Sequence, residues 1–103
     1  MSQAALERVA DGQLRLQGVI DMHCGLRLRQ QASRLAVPGP DGLLWLDCSA
    51  VADGSSSVCL SLLLCLQRDV TAAGGRLQIS GLPEELRRIA GLYGLLELLP
   101  LSS

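Results

Sequence analysis

The chain has 103 residues, 49% of them hydrophobic but only 2% aromatic. That length predicts one domain over residues 1–103, with a modest core of Leu, Val, Ile and Ala. Nine basic residues against ten acidic ones leave a net charge of -1. This removes the electrostatic case for nucleic-acid binding, and one Trp with one Tyr supply no base-stacking platform.

The first residues lack a basic start followed by an apolar run, so no signal peptide is expected. The longest apolar stretch, residues 58–66, is far shorter than the roughly 20 residues needed to span a bilayer. A cytosolic protein with no direct membrane insertion is therefore expected. The four cysteines, Cys24, Cys48, Cys59 and Cys65, include no C-x-x-C pair. They read as reduced, mostly buried small hydrophobes, and His23 beside Cys24 is a poor basis for a metal site.

Residues 4–9 read as a first strand and Asp11-Gly12 as a turn. Residues 13–20 alternate apolar and polar, with Leu14 and Leu16 on one side, as a half-buried strand does. Asp21 is placed to cap a helix over residues 22–35, in which Leu28, Ala32 and Leu35 recur at helical spacing. A Pro- and Gly-rich stop covers residues 37–42. Residues 43–48 are a continuous apolar run, which predicts an interior strand covered on both faces. A small-residue loop leads to a helix over residues 57–73, closed by Gly74-Gly75. Residues 76–80 form a strand. Pro83 opens a last helix to about residue 92, with Glu84 and Glu85 in its first turn suiting the dipole. The order β-β-α-β-α-β-α implies an α/β sandwich, a small mixed sheet with helices packed on it.

The helix over residues 57–73 is the informative one. At about 100° per residue, Cys59, Leu62, Leu63, Leu66, Val70 and Ala73 gather on one face, which must meet the sheet. Ser57, Ser61, Cys65, Arg68 and Thr71 gather on the other, with Leu60 and Leu64 on that outer side. Two outward leucines beside small polar residues suggest protein docking; cover by neighbouring helices is the alternative. Ser55, Ser56 and Ser57 can cap the helix, and a helix N-terminus also favours a phosphate.

Catalysis finds little support. No phosphate-binding or nucleophile-elbow motif is present, and a set of Ser57, His23 and Asp47 is assembled only by selection. No catalytic residue, cofactor or metal is expected.

The strand ending in L-D-C-S-A-V (residues 46–51) is followed by the serine loop at residues 55–57. The Leu-rich helix, Gly74-Gly75, G-L-P-E-E-L-R-R (residues 81–88) and L-Y-G-L-L-E-L-L-P (residues 92–100) complete the set. In this order and spacing it resembles the STAS domain family over essentially the whole chain. The subgroup it most resembles is the stand-alone STAS subunit of phospholipid ABC transporters. That resemblance implies a non-catalytic protein bound to a MlaF-like ABC ATPase subunit and, through it, to MlaE-like and MlaD-like subunits. It would be peripheral on the inner membrane and would support assembly and ATPase activity of a complex that maintains outer-membrane lipid asymmetry. The resemblance also implies that Ser57 occupies the position of the phosphorylated hydroxyl of anti-sigma-factor antagonists, which is the alternative function. Here Ser56 stands where that family has an Asp, and Cys59 where it has a Gly. On this picture Ser57, Leu60, Ser61, Leu64 and Arg68 meet the partner, and Arg87, Arg88 and Tyr93 form a second candidate surface.

Overall fold

The computed structural model describes residues 3–102. Its elements are β1 (Ala5–Ala10), β2 (Gln13–Gly18), α1 (Gly25–Leu35), β3 (Leu43–Val51), α2 (Ser57–Ala72), β4 (Arg76–Ser80) and α3 (Glu84–Leu92). The expected order holds. The sheet runs β1-β2-β3-β4, with β1 antiparallel to β2 and the other two pairs parallel. It is the mixed sheet expected when a hairpin is followed by two strand–helix–strand crossovers.

Register lines up the apolar side chains. Leu6 pairs with Leu16, Leu14 with Leu46, and Leu46 with Ile79. These residues are buried and join Leu28, Ala32, Leu63, Leu66, Val70, Leu86 and Ala90 of the helices in one core cluster. All three helices thus share one face of the sheet. At the end of β2, Gly18 has φ +89°, and a Cβ there would lie 2.7 Å from the Cα of Ala4. Only glycine allows the chain to pass Ala4 this closely.

The other face is open, which corrects the expectation for β3. Its residues alternate: Leu44, Leu46 and Cys48 are buried, while Trp45 and Ser49 are exposed and Asp47 is half-exposed. β3 is interior in strand order only. Its apolar run is continuous because Trp45 occupies the solvent side, not because a second layer covers it. β3 also extends three residues past the expected Cys48, since after a register shift Ala50 and Val51 pair with Gln17 and Gly18.

Two helix starts differ from expectation. α1 begins at Gly25, with Cys24 as N-cap and no side-chain cap bond. The Asp21 carboxylate instead accepts the His23 backbone N–H at 2.9 Å. That local turn competes with helix capping. Pro83 is the N-cap residue of α3 rather than its first helical residue, and Glu84 and Glu85 fill the first turn.

The last segment returns along the outer edge of β4. Ile79 N–H donates to Pro100 O at 2.9 Å, and Ser102 N–H donates to Ile79 O at 2.8 Å. This pairing covers part of an otherwise open strand edge. Among the described residues, no helix is long and apolar enough to cross a membrane.

Candidate docking site

The loop between β3 and α2 uses its three serines differently. Ser55 Oγ accepts the Ile20 N–H at 2.9 Å and donates to Ala52 O at 2.8 Å, tying the loop to the end of β2. Ser56 is the N-cap, its Oγ accepting the Val58 N–H at 3.2 Å. Ser57 is the first helical residue and is exposed; among the described residues no hydrogen bond reaches its hydroxyl. Capping therefore belongs to Ser56, not Ser57. The Ser57 hydroxyl is exposed at a helix N-terminus, where the helix dipole favours negative charge.

α2 is flanked by both other helices, α1 on one side and α3 on the other. The α1 side is marked by Ser33 Oγ, which donates to Asp69 Oδ2 at 3.3 Å. On the wheel Leu60 points away from Asp69 by about 180°, towards α3. Leu60 is only 1% exposed, and Leu64 is half-buried and packed against the core. This corrects the outward leucine pair. Leu60 has no surface to offer, because a helix with neighbours on both sides buries its flanks as well as its base. Ser57, Ser61 and Arg68 do form the exposed stripe, and Arg68 Nε lies 4.0 Å from the Asp69 carboxylate.

The apolar surface beside that stripe comes from α1 instead. Gly25 brings the helices together: a Cβ there would sit 3.0 Å from Val58 Cγ1. Below this approach opens a groove of about 220 Å³, lined by Gly25, Leu26, Arg29, Val58, Ser61, Leu62 and Cys65. Leu26 is 72% exposed on its rim and Met22, just before the helix, is 79% exposed. Sequence reasoning missed Leu26, although the signal was present. Leu26 and Leu28 are two positions apart, about 200° around a helix, so only one of them can face the core.

The second candidate surface, Arg87, Arg88 and Tyr93, mixes charged and apolar residues. Arg88 is engaged with Glu85 one turn earlier in an exposed ion pair, and the Glu85 carboxyl is held below its usual range by that hydrogen bond and charge. Exposed pairs of this kind are weak, so Arg88 is not locked away. Arg87 is half-buried. Tyr93 is 65% exposed, and Leu92, Leu96 and Leu98 are exposed near it in sequence.

The residues selected for a hydrolytic set do not come together. Asp47 lies on the open sheet face beside Ser80, where hydrogen bonds from Ser49, side chain first and then backbone, lower its pKa. Ser57 lies in the helix layer on the other side. His23 is exposed, while Cys24 turns inward, its thiol approaching Val19 O and Asp21 O. No group of three or more potential metal ligands gathers among the described residues. Burial, with a smaller contribution from Cys24, pushes the Cys59 thiol up to about 12, and burial pushes Cys48 up further. Both are neutral small hydrophobes rather than nucleophiles.

A family model described as "Mlab, STAS domain" matches residues 4–100. No curated protein sequence matches the chain. Among solved structures, a candidate anti-sigma factor antagonist from Thermotoga maritima superposes with a TM-score of 0.71 at 12% identity, covering 97% of this chain and 86% of its own. Phosphorylated SpoIIAA of Bacillus gives 0.66 at 17% identity, covering 98% and 92%. The anti-sigma factor antagonist SpoIIAA in its unphosphorylated form gives 0.70 at 16%, covering 98% and 89%. At these identities the likeness is one of fold. The family match spans nearly the whole chain and agrees with that fold, the serine loop and the helix that follows it: the chain belongs to the STAS domain family.

Proposed function

We propose that this protein is a MlaB-like, non-catalytic STAS subunit that binds the ABC ATPase subunit of a phospholipid transport complex. It supports assembly and ATPase activity of that complex, which maintains outer-membrane lipid asymmetry. The observation that carries this reading is the match of residues 4–100 to the Mlab STAS model. STAS domains act through partner proteins, and the exposed Ser57, Ser61 and Arg68 stripe beside the α1–α2 groove is a surface suited to one. The partner is a MlaF-like ATPase, with MlaE-like and MlaD-like subunits reached through it. The protein then sits on the cytoplasmic side of the inner membrane without inserting.

The test is purification of the tagged full chain from its native membrane, followed by identification of what is retained. An ABC ATPase with its permease is the expected result. Recovery of a soluble kinase or anti-sigma factor alone overturns the reading.

One observation favours the second reading, an anti-sigma-factor antagonist switched by phosphorylation. Ser57 presents a free, exposed hydroxyl at the start of α2. Against it stands Ser56, a capping hydroxyl where the antagonists carry a carboxylate. Mass spectrometry of the chain isolated from its own cells separates the two. Phosphate on Ser57 supports the switch, and an unmodified Ser57 in cells where the ATPase is retained supports the transporter.

A further inference from the structure

The α1–α2 groove specifies the chemistry of what enters it. Its volume of about 220 Å³ falls below the roughly 300–1,000 Å³ of small-molecule sites. It is the size for one large side chain, not a cofactor. Its walls are mostly apolar: Leu26, Val58, Leu62 and Cys65.

The charges around it are mainly basic. α1 contains Arg27, Arg29 and Arg34 and no carboxylate. Arg27 is spent on the backbone, its Nη2 donating to Ala4 O at 2.9 Å. Arg29 lines the groove and is exposed, and among the described residues its guanidinium has no hydrogen bond or ion pair. Arg68 stands on the adjacent stripe of α2. Asp69 takes the Ser33 hydroxyl and lies 4.0 Å from Arg68, and Asp21 takes the His23 N–H; both carboxylates stay negative, but neither pairs with Arg29. An apolar slot beside an unpaired guanidinium is complementary to an apolar side chain with a carboxylate next to it.

We infer that the groove between α1 and α2 receives a segment of the partner protein in which one large apolar side chain is the anchor and a neighbouring Asp or Glu pairs with Arg29. The inference rests on the proposed partner reading and names the part of the partner that docks. Leu26 and Val58 close around the anchor, Arg29 sets its orientation, and Arg68 steers the approach. Ser57 lies at the head of the same helix, so a phosphate there would add negative charge close to the arriving carboxylate and repel it.

The test uses the full chain with a benzophenone amino acid in place of Leu26, photo-crosslinked in native cells. The captured peptide is sequenced by mass spectrometry. The expected peptide has a large apolar residue within one helical turn of an Asp or Glu. In parallel, Leu26→Ser and Arg29→Glu are titrated against the purified ATPase. Each weakens binding at least roughly tenfold, and the Arg29→Glu deficit narrows as salt is raised. Both positions are exposed, so a melting temperature unchanged from the parent confirms that the variants are folded. A captured segment without carboxylates, or binding by Arg29→Glu equal to the parent, overturns the inference. If the ATPase is not retained at all, the partner reading fails, and the peptide captured from position 26 still decides the docking chemistry.

Discussion

Leu60→Ala separates a docking residue from a core residue. Leu60 is 1% exposed, on the flank of α2 opposite Asp69. Truncation removes three carbon atoms from a site with little room to collapse, since helices stand on both sides and the sheet lies beneath. Transfer of those atoms costs about 2 kcal/mol, and the residual cavity raises the total to about 3 kcal/mol, within the 2–5 kcal/mol range for such changes. For a domain of this size each kcal/mol moves the melting temperature by roughly 4–8 °C. The variant should therefore melt about 12–24 °C below the parent. Leu26→Ala is the matched control. At 72% exposure it should change stability by less than about 0.5 kcal/mol. Thermal and urea unfolding, followed by circular dichroism, measure both. A Leu60→Ala protein melting within about 2 °C of the parent would place that side chain on the surface and restore the outward leucine pair.

Three more expectations follow from the same geometry. Ser56→Ala should cost about 1 kcal/mol through loss of the α2 cap, whereas Ser57→Ala should leave unfolding within about 0.5 kcal/mol of the parent; the reverse order in denaturant titrations would move the cap to Ser57. In the folded protein at neutral pH, Cys65 should react first with a thiol reagent, and Cys48 and Cys59 only on unfolding, because both are buried with raised pKa values; peptide mapping after brief alkylation reads the sites. Asp47 has a lowered pKa in the fold, so its contribution is present above the unfolded carboxylate pKa and is lost as pH falls through the folded one. The stability gap between the parent and Asp47→Ala should accordingly shrink under acid, and a gap that widens on acidification would contradict the Ser49 hydrogen bonds as its source.

The two candidate surfaces differ in chemistry. The groove beside Ser57 combines an apolar slot with an unpaired arginine, so the segment proposed to enter it would be selected by charge as well as shape. The region at the end of α3 is apolar around Leu92, Tyr93, Leu96 and Leu98, with Glu97 the charged residue among them. Surface of that kind adds area to a contact more than it adds direction.

Much of the fold was legible along the chain because its determinants are local. Alternation marked β2, Asp11-Gly12 the hairpin, and Gly74-Gly75 the end of α2, and each depends on a few adjacent residues. The exposure of Ser57, Ser61 and Arg68 was also readable, since polar residues at helical spacing face water whatever lies beneath. Leu60 was different. A helical wheel gives direction but not the number of neighbours, and α2 has three: the sheet, α1 and α3. Its buried residues run from Leu62 round to Leu60, roughly 160° of the wheel, and only the positions of the other helices set that width. The same limit applied to β3, whose apolar run shows strand length but not which faces are covered. The groove itself belongs wholly to tertiary structure. Leu26 and Val58 are far apart in sequence and meet because Gly25 lets two helices approach. Which apolar residues are left over for a partner is decided by that packing, not by their hydrophobicity.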